Sequence, residues 1–195
     1  MYTSENNSWL FEFPSLPKGR FNSVCFVYRD SLYVFGGTDN SSNMNEIVRY
    51  DLSTQNSGEW TTIAKVNEAN QRGGVAFVVE DKVYAGLGEK SNGIRNGFYV
   101  SSDSLTKWEL IPSIPAQLGV ISSGVYDEQK KSFFMIDNDG KIWEYNLTTE
   151  QWTSRSLWIR MKNYHMFMLD GSIYILGQDI YQKNKFTVYN PIWDN

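Results

Sequence analysis

Phe133-Phe134-Met135-Ile136 runs straight into the turn Asp137-Asn138-Asp139-Gly140, and a second alternating run, Ile142-Trp143-Glu144-Tyr145, follows at once. Apolar runs of this length between turn residues are strands, and Asp-Gly between two of them is a hairpin signal. The polar segment Asn146-Leu147-Thr148-Thr149-Glu150-Gln151 then leads into Trp152, which opens an outer strand. The same order leads to Trp60 and Trp108, Trp9 opens a similar outer strand, and the four Trp residues are spaced by 51, 48 and 44 positions. A period near or in the forties with several short strands in each unit is the pattern of a propeller blade.

Each copy carries further marks. Leu32-Tyr33-Val34-Phe35-Gly36-Gly37 is followed by Tyr50 and Trp60, and Val83-Tyr84-Ala85-Gly86-Leu87-Gly88 by Tyr99 and Trp108. The third copy keeps Tyr145 and Trp152 without a Gly pair, and the fourth has Ile173-Tyr174-Ile175-Leu176-Gly177 and then Tyr189. A hydrophobic strand ending in a Gly pair, then a Tyr, then a Trp resembles the kelch repeat, and the resemblance covers the chain from Trp9 onward. It implies an all-β fold: a kelch-type β-propeller, related to the central domain of galactose oxidase, with about four four-stranded blades. These fall near 9–63, 64–111, 112–155 and 156–195, behind a flexible segment 1–8. Such a fold hosts binding modules, scaffolds and enzymes, so it does not fix an activity.

At 195 residues the chain is long enough for one sizeable core. Aromatics make up 15% of it, which suits the wedges between blades. A net charge of −4 argues against a general nucleic-acid or anionic-membrane surface. The single Cys, Cys25, excludes an intrachain disulfide framework, and its place in Val24-Cys25-Phe26-Val27 predicts a buried small hydrophobe. No stretch approaches the roughly 20 apolar residues of a membrane span. Met1-Tyr2-Thr3-Ser4-Glu5-Asn6-Asn7 lacks the charged and apolar regions of a signal peptide, which suits either a cytoplasmic protein or a domain of an exported one.

The fourth copy breaks the pattern. Only three residues separate Tyr189 from Trp193, Pro191 lies between them, and Pro191-Ile192-Trp193-Asp194-Asn195 makes a poor outer strand. Trp9-Leu10-Phe11-Glu12-Phe13 alternates as an outer strand should, with no blade of its own before it. Closure of blade four by that N-terminal strand, beside 184–190, accounts for both. Since kelch propellers usually have five to eight blades, three arrangements stay open: a closed four-bladed ring, an open arc that pairs with a second copy as a homodimer, and part of a larger ring.

Chemistry-bearing motifs are sparse. With His165 as the one His, a multi-His metal site is unavailable, and the copper chemistry of galactose oxidase is not expected. No Gly-x-Ser-x-Gly elbow, phosphate loop or dinucleotide fingerprint occurs, so the sequence calls for no cofactor. Arg20 and Arg72 each lie seven residues before the expected ends of innermost strands, Val27 and Val79, and Arg160 holds a similar place before blade four. Converging guanidiniums at the channel mouth would receive carboxylates or acidic glycans, because Arg presents a planar multi-donor fork. The other reading of each Arg is a local pair with an Asp, a Glu or a loop carbonyl.

Arg20, Arg72, Arg160 and His165 are therefore the candidate ligand-binding residues, and no catalytic or metal-ligating residue is assigned. The resemblance implies a binding module for a protein or carbohydrate partner, since kelch rings engage partner peptides through loops and arginines on one face. It also implies an alternative, an enzyme akin to a bacterial sialic-acid mutarotase that handles acidic sugars. The long loops 37–45 and 88–97 supply adaptable contact residues for either.

Overall fold

A computed structural model describes residues 2–3, 7–9, 14–39, 41–54, 58–66, 71–93, 95, 97–102, 104–158, 161–179 and 181–190. Strands β1 (Tyr2–Thr3) and β2 (Ser8–Trp9) pair as a short antiparallel ribbon. Blade one follows with β3 (Val24–Tyr28), β4 (Ser31–Phe35), β5 (Glu46–Asp51) and β6 (Thr61–Lys65), with a 3-10 turn at Leu52–Thr54 between the last two. Blade two comprises β7 (Val75–Val79), β8 (Lys82–Gly86), β9 (Phe98–Ser101) and β10 (Trp108–Leu110). Blade three comprises β11 (Ile121–Asp127), β12 (Ser132–Asp137), β13 (Lys141–Asn146) and β14 (Gln151–Trp158). Blade four has β15 (Lys162–Leu169), β16 (Ser172–Gln178) and β17 (Asn184–Tyr189), three strands among the described residues. The molecule is an all-β, four-bladed propeller of antiparallel sheets.

Turn chemistry sets the register. Arg29 and Asp30 both take left-handed φ values (45° and 55°), as do Asp170 and Gly171 (48° and 72°), which makes tight two-residue hairpins between the first two strands of blades one and four. The hairpins align equivalent residues across blades. Phe26 faces Tyr33, Phe77 faces Tyr84, Val125 faces Phe134 and Phe167 faces Tyr174. In blade three Asp137 accepts hydrogen bonds from the amides of Asp139 and Lys141 and, at 2.9 Å, from the indole N–H of Trp143. The carboxylate thus holds the turn and gives a buried Trp its acceptor.

Innermost strands β3, β7, β11 and β15 lie side by side in that order, and three apolar clusters fill the wedges between successive blades. Between blades one and two, Phe26, Tyr28, Tyr33, Phe35 and Ile47 meet Val83, Ala85, Tyr99 and Leu105. Between blades two and three, Phe77 stacks on Phe133 with centroids 4.3 Å apart. Between blades three and four, Phe134, Ile136 and Ile142 pack on Met166, Ile173, Ile175 and Tyr189. Blade three is therefore covered on both faces, which is why Phe133 to Ile136 form an unbroken apolar run and all four are fully buried. Burying each such side chain contributes roughly 1.5–3 kcal/mol.

Among the described residues no such cluster joins blade four to blade one. Of the N-terminal strand expected to close the ring, Ser8 and Trp9 pair with Tyr2 and Thr3, and residues 10–13 lie outside the described residues. Residues 191–195 lie outside them as well. Blade one instead meets the segment before β3 at its outer edge, where the Trp60 indole donates to the Pro14 carbonyl at 2.8 Å. Cys25 corrects the sequence reading. It is exposed, on the face of β3 that points away from blade two, although its cross-strand neighbour Val34 on that face is buried.

Candidate functional site

The chain leading into each innermost strand ends at the mouth of the central channel. Asn22 and Gly73, each two residues before its innermost strand, and Asn163, the second residue of β15, share left-handed φ values of 52°, 67° and 54°. That repeated kink turns each lead-in across the channel end. The result is a cavity of about 760 Å³ to which all four blades contribute. Asn22 comes from blade one, Arg72 and Glu89 from blade two, Ser122 and Asn138 from blade three, and Asn163 and His165 from blade four. Gly74 lies in its wall, where a Cβ would meet the Gly86 carbonyl at 2.3 Å; only Gly lets the two backbones approach this closely.

Arg72 is the charged centre of this site. Its guanidinium forms a two-pronged pair with Glu89, Nε to Oε2 at 3.2 Å and Nη2 to Oε1 at 3.0 Å. Its pKa is raised chiefly by those hydrogen bonds to the carboxylate and by its charge, so the cation is fixed at any ordinary pH. Arg72 also lines a smaller hollow of about 170 Å³ with Thr38, Ser42, Asn43, Lys90 and Ser91. Here the loops 37–45 and 88–97 meet, tied by the Asn43 side-chain amide donating to the Glu89 carbonyl at 2.8 Å. Two cations and several hydroxyls surround a hollow with room for one side chain.

The other site residues expected from sequence fall differently. His165 is exposed and lines the central cavity and a neighbouring hollow of about 390 Å³ on blade four. Arg20 turns inward. Its side chain is buried, with Nη1 donating to the Gly36 carbonyl at 3.2 Å and Nη2 3.5 Å from Glu46 Oε2. The cause is one residue of register. Strand β3 ends at Tyr28, not Val27, and Phe21 bridges to Thr38 as Arg72 bridges to Glu89. Phe21 is thus the counterpart of Arg72, and Arg20 the counterpart of the buried Gln71, because a shift of one turns a side chain to the opposite face. Arg160 lies outside the described residues.

Sequence reasoning missed Asn22, Glu89, Ser122, Asn138 and Asn163. Their signal was positional: the residues at or just before the start of each innermost strand and just after its neighbour share one end of the channel. Chemically, the cavity offers amides, hydroxyls and one ion pair. Tyr164 at its wall is committed to structure, its hydroxyl accepting from the Met161 amide at 3.0 Å and its pKa raised by burial.

The Kelch motif matches residues 19–67, which span the four strands of blade one and its lead-in. Blade one thus carries a kelch motif, in a chain folded as a four-bladed propeller. Features of the matched blade recur in others: the cross-strand ring stack in blade four, Phe167 on Tyr174, and the Tyr–Trp contact in blade three, where Tyr145 meets Trp152 as Tyr50 meets Trp60. No curated protein matches the chain.

Proposed function

We propose that this kelch propeller is a non-catalytic binding module that receives a polar or acidic loop of a partner protein at the channel mouth. The observation that carries the reading is a polar cavity shared by all four blades, with Arg72 standing between it and the hollow of the two long loops. Rigid blades hold the loops, so little ordering entropy is lost on binding. Amides and hydroxyls match the backbone and side chains of a peptide. Arg72 and Lys90 favour a carboxylate among them.

Because Glu89 already holds Arg72, an incoming carboxylate competes with it. A glutamate-rich peptide added at about 100 times its Kd stabilises the fold by about 2.7 kcal/mol, a rise of several degrees in Tm. Arg72→Ala removes the rise, and Glu89→Gln enlarges it by freeing the guanidinium. A rise unchanged in Arg72→Ala overturns this placement of the contact.

Handling of acidic sugars is the second reading, favoured by the same Arg72 set among Ser and Asn side chains. Under it, sialic or uronic acid rather than the peptide produces the Arg72-dependent shift. A mutarotase-like activity would in addition speed the interconversion of sialic-acid anomers, followed by proton NMR.

A further inference from the structure

The hollow of about 170 Å³ where the two long loops meet differs in chemistry from the central cavity. Hydroxyls, one amide and the cations Arg72 and Lys90 line it, and no carboxylate among the described residues does. The acids of these loops, Asp39 and Glu89, are engaged elsewhere. Asp39 pairs with Lys18 at 2.6 Å, and Glu89 lines the central cavity and not the hollow.

Both walls are held in shape before anything binds. Asp39 accepts the amides of Ser41 and Ser42, each at 3.0 Å, and the Thr38 hydroxyl donates to the Ser42 carbonyl at 3.1 Å. Opposite them the Gly93 amide closes a turn on the Lys90 carbonyl at 3.0 Å, and the Asn43 amide ties one loop to the other through the Glu89 carbonyl. What remains is a surplus of donors. Glu89 occupies Nε and Nη2 of Arg72, so Nη1 keeps its hydrogens free among the described residues. The Lys90 ammonium and the hydroxyls of Ser41, Ser42 and Ser91 have no partner among the described residues either.

A carboxylate carries one charge and two oxygens in one plane, and the planar fork that matches it is the edge of Arg72 already given to Glu89. The donors left over are separate points on two facing loops: one guanidinium nitrogen, one ammonium and three hydroxyls. Such a set suits a tetrahedral group with a charge of about −1.5 to −2 and three strong acceptor oxygens aimed in different directions. We propose that the hollow is a site for a phosphoryl group, carried by a phosphorylated Ser or Thr side chain. This rests on the channel-mouth reading above in taking the carrier to be a loop of a partner protein: the loop lies over the central cavity and its phosphorylated side chain enters the hollow. Free phosphate has the same chemistry and is the other source.

The test titrates the full nitrogen-15-labelled chain, at a pH of about 7.5 where phosphate is a dianion, with three probes: a capped Gly-Gly-phosphoserine-Gly-Gly peptide, the same peptide with Glu for phosphoserine, and inorganic phosphate. The amides of Ser41, Ser42, Lys90 and Ser91 are expected to shift, with the phosphoserine peptide bound about tenfold or more tighter than the Glu peptide. Lys90→Ala, at a loop position, weakens it about tenfold by removing a charge-assisted donor. Ser91→Asp, which sets a carboxylate in the hollow, weakens it at least as much. Weaker binding of inorganic phosphate at the same amides supports the phosphorylated side chain as the source, and equally tight binding supports the site with the free ion as its occupant. Equal affinity for the Glu and phosphoserine peptides overturns the proposal, as does binding that neither Lys90→Ala nor Ser91→Asp weakens. The two readings fail separately. A glutamate-rich peptide that raises Tm through Arg72, beside no preference for phosphoserine, strikes the phosphoryl site and leaves the channel-mouth contact standing. Preference for phosphoserine without that rise strikes the carboxylate contact and leaves the hollow.

Discussion

Blade one and blade four carry the same ring pair at the same register, Phe26 on Tyr33 and Phe167 on Tyr174, with almost the same stacking geometry. In blade one the pair lies in a wedge closed by Val83, Ala85, Tyr99 and Leu105. In blade four it faces outward. The stack is therefore made within the blade, by two strands and a hairpin of left-handed residues, and needs no covering neighbour. Burial comes second and depends on what stands next. A repeat fold separates these two contributions because the blade's own contacts are held constant while the neighbour changes.

The largest effect tests this separation directly. Phe26→Ala removes a buried ring from a closed wedge and should cost about 3–5 kcal/mol by urea unfolding. Phe167→Ala, measured in dilute solution, loses the ring stack with little burial, a cost of roughly 1 kcal/mol. Equal losses would show that blade four's face is as covered as blade one's. Next in size is Asp137→Ala in blade three, the blade covered on both sides. It deprives the buried Trp143 indole and two turn amides of their acceptor, at a cost of roughly 2–3 kcal/mol. A loss near zero would mean that coverage alone, not turn chemistry, fixes that blade.

The strands were legible in the sequence because each is marked twice, by its apolar run and by the turn that ends it. Phe133 to Ile136 shows the strength of that signal, since there the unbroken apolar run is a strand covered on both faces. Arg20 shows its limit. Placing a side chain at the channel needs the register to the residue, and Tyr28 rather than Val27 ends β3. One position converts an expected ligand contact into a buried partner of Glu46. Asn22 and Asn163 were hidden for a related reason: polar residues at the start of a strand look like loop, and both share a left-handed kink at the cavity. Cys25 was misread because an apolar run does not say which of its faces has a neighbour.

The smallest effect concerns a feature in which the two blades agree. Asp39 in blade one accepts the amides of Ser41 and Ser42 and pairs with Lys18 at 2.6 Å, while Asp179 in blade four accepts the amides of Tyr181 and Lys183 and pairs with Lys185 at 3.6 Å. Both carboxyls are held below their usual range, Asp39 chiefly by its bond to Lys18 and Asp179 chiefly by the Lys183 amide. A carboxyl with a lowered folded pKa stabilises the fold above its unfolded value of about 3.9, and that contribution is lost as pH falls toward the folded value. Carbon-13 titration should show both groups protonating at lower pH than an ordinary Asp. The amides of residues 41–42 and 181–183 should then shift with their own carboxylate while the ring pairs of both blades stay put. An ordinary titration of Asp179 beside a depressed one of Asp39 would extend the contrast between the blades from their faces to their loops, and the uncovered face would no longer be the only thing that sets blade four apart.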